Sequence, residues 1–118
     1  MIARAYRLRT ATDFNKTYKH GRSTNADVLY VKSYQTHLAH SRVAVVASKK
    51  VSKRAVVRNR CKRRVVEIVR KEWGSVKPGY NFIITIKSDV SKQDHDKLRN
   101  TVLDCLKRAQ LWTGPTCG

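Results

Sequence analysis

Acidic residues are what this chain is short of. Its 118 residues include eight Asp and Glu against 26 Lys and Arg, a formal net charge of +18, and no acidic residue stands between Val28 and Val66. Metal-dependent phosphodiester cleavage needs carboxylates that converge on one or two ions. The acids here are Asp13, Asp27, Glu67, Glu72, Asp89, Asp94, Asp96 and Asp104. Their one cluster, Asp94-His95-Asp96, falls on consecutive helix positions, which point in different directions. Glycine is also sparse, with five residues and no glycine-rich phosphate loop. Cys61, Cys105 and Cys117 have no metal-ligand spacing, and an odd count argues against a disulfide framework. His37 and His40 are spaced as in some metal sites but have no acidic or cysteine partner nearby, so no metal is expected there. No apolar run reaches membrane-spanning length and the N-terminus lacks a signal-peptide core, so a cytoplasmic protein is expected, with no membrane partner. No catalytic residue is expected in the chain itself.

What is present is a concentrated positive stretch. From Lys49 to Arg64, nine of sixteen residues are Lys or Arg and none is acidic. At 100° per residue, Val57, Cys61, Val65, Ile68 and Val69 share one face, the stripe of a helix packed on a core. Arg60, Arg63, Arg64, Arg70 and Lys71 fall on the opposite side, while Arg58 and Lys62 lie near the edge of the apolar stripe. A merely solvated face mixes signs and gains i,i+4 pairs; like charges at that spacing repel. The stretch therefore reads as a binding surface for a polyanion. Ser52 is expected to cap this helix, and Gly74, Pro78 and Gly79 to end it.

The remaining chain fits one domain over residues 1–118, with a basic lead-in carrying Arg4, Arg7 and Arg9, an ordered core over about 5–112 and a disordered tail at 113–118. Thr12 is expected to cap a short helix over 13–20, followed by Gly21. Phe14 and Tyr18 lie one turn apart on it, beside Lys16 and Lys19. They are either core residues or a stacking platform for unpaired bases. Residues 28–34 and 42–48 read as strands, and 81–87, with Phe82, Ile83, Ile84 and Ile86, as a well-buried central strand. Ser91 is expected to cap a last helix running to about Leu111, with Leu98, Val102, Cys105, Leu106, Ala109 and Trp112 inward. The order predicts an α+β fold, a two-layer sandwich of a small mixed sheet with three helices.

Arg58-Asn59-Arg60, preceded by Ala55 and followed by Lys62-Arg63, resembles the signature of the bacterial ribonuclease P protein component. Leu8 to Gly21 resembles that family's first helix, Val45 to Lys50 its strand ending in Ser-Lys-Lys, and Phe82 to Lys87 its last strand. The resemblance covers nearly the whole chain. It implies a left-handed βαβ crossover through the Arg-Asn-Arg helix, which general chirality rules would not suggest. It implies a catalytic RNA as partner, in a 1:1 complex, and precursor tRNA as substrate, whose 5′ leader the holoenzyme removes with Mg²⁺ held mainly by RNA. By position, Lys53, Arg54, Arg58, Asn59, Arg60, Lys62, Arg63 and Arg64 would face the catalytic RNA. Phe14, Tyr18, Tyr30, Lys49 and Lys50 would line the leader cleft. Two departures stand out: Cys61 replaces a larger apolar residue, and Val66 stands where a basic residue is common, a loss for which Arg64 is placed to compensate.

Rival readings are a plain RNA-binding module such as a ribosomal protein, a helix-in-groove DNA reader, and a self-sufficient nuclease. The first needs no aromatic cleft, the second discriminates duplex sequences, and the third cleaves RNA without a partner.

Overall fold

The computed structural model describes residues 7–8, 11–25, 28–36 and 39–112. The basic residues Arg4 and Arg9, the loop residue His37, and the tail with Cys117 lie outside the described residues. The elements are α1 (Ala11–His20), β1 (Arg22–Asn25), β2 (Leu29–Gln35), β3 (Arg42–Ala47), α2 (Ala55–Lys71), a 3₁₀ turn (Trp73–Ser75), β4 (Tyr80–Ile86) and α3 (His95–Arg108). The four strands form one mixed sheet in the order β1-β2-β4-β3. β4 is antiparallel to β2 and parallel to β3. The β3 to β4 connection runs through α2, as a βαβ crossover requires; its handedness rests on the family resemblance. The expected α+β sandwich with three helices is what the chain forms.

Strand alternation assigns the two faces. Leu29 and Val31 of β2, Val43 of β3, and Phe82, Ile84 and Ile86 of β4 are buried in a single core with Cys61, Val65, Ile68 and Val69 of α2 and Leu98, Val102, Cys105 and Leu106 of α3. Each such side chain contributes about 1.5–3 kcal/mol when fully enclosed. The Trp73 ring stacks on Phe82 at 6.0 Å and closes the end of this layer. The intervening β4 residues, Asn81, Ile83 and Thr85, face the other way, toward α1. β4 is therefore apolar on both sides at Ile83 and Ile84, which accounts for its near-continuous apolar run.

Several local expectations are corrected. Ser52 does not cap α2. Its Oγ accepts from Arg54 N at 3.1 Å in the preceding turn, and Arg54 occupies the cap position without a side-chain bond. Asp94, not Ser91, caps α3, its carboxylate accepting from Lys97 N at 3.2 Å. Asp89 Oδ1 accepts from Ser91 N at 2.8 Å, so the residues before α3 form a side-chain-stabilised turn instead of a first helical turn. Thr12 lies inside α1, which begins at Ala11. β1, Arg-Ser-Thr-Asn, was not foreseen because a polar edge strand exposed on most positions carries no hydrophobic alternation.

Gly21 marks a required close approach. A Cβ there would lie 2.2 Å from Thr17 O and 2.9 Å from Ser33 O. The end of α1 can therefore rest against the β2 backbone only without a side chain at this position.

Candidate nucleic-acid interface

On α2 the apolar stripe is where the periodicity places it, and the charged face looks outward. Lys53, Arg54, Asn59, Arg60 and Arg63 are exposed and Lys62 is half-buried. Two of the expected contact residues are engaged locally. Arg58 donates from Nη1 to the carbonyls of Ser52 at 2.9 Å and Lys53 at 3.0 Å, clamping the loop before α2. Arg64 donates to Val90 O, tying α2 to the segment before α3. Arg70 pairs with Glu67 one turn earlier, which holds the Glu67 carboxyl below its ordinary value. Val56 is 60% exposed and lies beside Asn59, Lys62, Arg63 and Val66 along the outer face. The surface thus combines cations with a short apolar strip, and Val66 belongs to that strip.

The second surface lies across the sheet. Strand register sets Val46, Thr85 and Tyr30 side by side in one row on the α1 side. Phe14 and Tyr18 of α1 have ring centroids 6.3 Å apart, and the Tyr18 phenol lies near Tyr30 and Thr85. Partial burial is the main cause that raises the Tyr18 phenol above its ordinary value of 10.0. The buried Thr85 Oγ1 has no hydrogen-bond partner at bonding distance among the described residues, so its interaction with Tyr18 is loose. Tyr18 is 38% exposed. Core membership and surface display are therefore both partly true of this helix: Thr17 is its buried residue, Phe14 is half-buried and Tyr18 exposed, on the side of the sheet that carries Tyr30. Lys49 and Lys50 leave the sheet from the same end as Tyr30 and are exposed in the turn after β3.

A polar bridge ties α1 to the sheet. Arg42 of β3 donates from Nη2 to Asp13 of α1 at 2.9 Å and from Nε to Asn81 Oδ1 of β4 at 3.0 Å. Sequence reasoning gave Asp13 a helix-surface role. The partner Arg42 is distant in sequence, so only an inward polar position on β3 could have signalled it. Lys32, half-buried on the same face as Tyr30, was also missed, because a lone lysine in a strand has no distinguishing pattern. Among the described residues no three His, Cys, Asp or Glu side chains come together as a metal site. No helix among them is long and apolar enough to cross a membrane.

An exposed basic helix face and, on the other side of the sheet, the Phe14 and Tyr18 rings are the two surfaces of this chain, and a family model described as Ribonuclease P matches residues 2–110. The chain belongs to the Ribonuclease P family. Its similarity to the ribonuclease P protein component of Pseudanabaena sp. (strain PCC 6903) is 32% identity over 115 residues, covering 97% of this chain and 99% of that one. The corresponding protein of Symbiobacterium thermophilum is 36% identical over 112 residues, covering 93% and 96%. The RNase P protein from Thermotoga maritima superposes with a TM-score of 0.78 at 29% identity, over 86% of this chain and 96% of that one. The Staphylococcus aureus RNase P protein shares the fold, with a TM-score of 0.81 at 24% identity over 92% and 99%. As a ribonuclease P protein component, the chain is the protein subunit of a ribonucleoprotein endoribonuclease and works with the ribonuclease P RNA.

Proposed function

We propose that the protein binds the catalytic RNA through the outer face of α2 and the 5′ leader of precursor tRNA through the α1 cleft, promoting leader removal in the cytoplasm. The observation that carries this reading is the separation of the two surfaces. A cationic helix face suits the phosphates of a folded RNA. A cleft with Phe14, Tyr18 and Tyr30 on a polar sheet suits unpaired bases, because every base has a face to stack. Lys49 and Lys50 stand at the mouth, where they would meet the leader's phosphates. The chemistry belongs to the RNA, which would hold the Mg²⁺, in a complex of one protein with one RNA.

The test is 5′-end processing of a precursor tRNA at low Mg²⁺ with the protein, a bacterial ribonuclease P RNA, or both. Release of an intact leader by the mixture alone supports the proposal. Cleavage by the protein alone would transfer the chemistry to the chain. An RNA whose activity ignores the protein would favour plain RNA binding.

A further inference from the structure

Beyond the cleft, the chain carries a notch at the far end of β2. It has a volume of about 430 Å³, and its walls include His20 at the end of α1, Arg22 at the start of β1, Tyr34 and Tyr80 at the strand ends, and Gln110 after α3. That size suits a nucleobase with its sugar. The His20 and Tyr34 rings lie 6.4 Å apart and tilted by 43°. Arg22 is exposed, and no carboxylate lines the notch. Rings, a cation and an amide around an open space are the components that hold an unpaired base beside its phosphate.

Two observations connect and distinguish this place. Tyr34 is four residues beyond Tyr30 and on the same face of β2, a distance of about 13 Å at strand spacing, with Lys32 between them. Tyr30, Lys32 and Tyr34 thus share one face of β2, with the cation between the two rings. Gln110 has φ of 62°, in the left-handed region where glycine is the ordinary residue after a helix. Leu111 N donates to Leu106 O at 2.9 Å, the bond of such a helix ending. Glycine would make this ending without strain. The chain instead places a side-chain amide at the wall of the notch.

We infer that the notch is a second base site, taking an unpaired base of the same 5′ leader upstream of the bases held by Phe14, Tyr18 and Tyr30. This rests on the leader reading above. Stacking on Tyr34, a phosphate contact from Arg22, and a hydrogen bond from the Gln110 amide would each contribute.

The test uses the assembled holoenzyme and precursor tRNAs whose leaders are lengthened one nucleotide at a time, with affinity measured under non-cleaving conditions. Two separate rises in affinity are expected, the second of about fivefold or more, as a stacked base supplies. Tyr34→Ala removes the second rise, Tyr34→Phe retains it, and Gln110→Gly reduces it in a chain whose helix ending is relaxed. All three leave short-leader affinity unchanged. A single rise, or a second rise untouched by Tyr34→Ala and Gln110→Gly, overturns the notch and leaves the cleft standing. Affinity independent of leader length overturns both.

Discussion

The Arg42 guanidinium of β3 lies 2.9 Å from the Asp13 carboxylate of α1. It ties α1 to the sheet, and Asn81 holds the same guanidinium from β4. Both partners are largely withdrawn from water, each side chain being 23% exposed. Asp13→Ala is expected to cost about 1 kcal/mol in denaturant unfolding, near the top of the range for partly exposed pairs. It should also weaken leader binding, because Phe14 and Tyr18 ride on the loosened helix. Unchanged stability and unchanged leader affinity would show that α1 is held without the pair.

Arginines of α2 separate into two kinds that a binding and folding comparison can distinguish. Arg60→Ala and Arg63→Ala, at exposed positions, should lower the salt-dependence slope of binding to the catalytic RNA by about 0.7 to 0.9 each. Their unfolding free energies should stay within about 0.5 kcal/mol of the parent. Arg58→Ala should behave differently, losing about 1 kcal/mol or more of stability, since its guanidinium bonds the carbonyls of Ser52 and Lys53. Equal stability losses at all three positions would contradict this division.

Gly21 admits no side chain. In Gly21→Ala the new Cβ meets backbone oxygens of Thr17 and Ser33 at 2.2 and 2.9 Å, and neither can rotate away. A loss of about 1–3 kcal/mol is expected by thermal or denaturant unfolding, with leader binding weakened as α1 lifts from β2. A variant as stable as the parent would mean that α1 can shift without cost.

The Cys105 thiol is enclosed between α3 and the sheet. Burial chiefly, helped by the nearby Asp104 carboxylate, pushes it from 9.0 to about 11. Because the folded value exceeds the unfolded one, its contribution to stability is complete below about pH 9 and is lost as pH rises through about 11. Unfolding measured across this window should show the parent losing stability relative to Cys105→Ala. Parallel curves for the two proteins would place the thiol in a wetter site. Near neutral pH, Cys61 and Cys105 should resist thiol reagents until the chain unfolds, since both are buried.

Much of the architecture was legible along the chain because periodicity is a local property. The stripe of α2 from Val57 to Val69, the apolar run of β4, and Gly21 after α1 each follow from the residues that carry them. The cap positions were less legible. Ser52 and Ser91 have suitable side chains, but Ser52 Oγ accepts from Arg54 N and Ser91 N donates to Asp89 Oδ1, each in a turn, and nothing local distinguishes such a turn from a helix start. The polar edge strand β1 was invisible, since its pairing with β2 supplies the order that its composition does not.

The sequence by itself determined the sign and location of the charge, the single core, and the amphipathic helix that displays Arg60 and Arg63, because each depends on residue type and short-range spacing. Tertiary structure decided which cations are left for a ligand, turning Arg58 and Arg64 to backbone carbonyls and Arg42 to Asp13. It also set Tyr18 beside Tyr30 and Thr85, and brought His20, Tyr34, Tyr80 and Gln110 to one notch. Those juxtapositions join residues far apart in the chain, and strand order and register set them. Neither quantity is written in any local pattern.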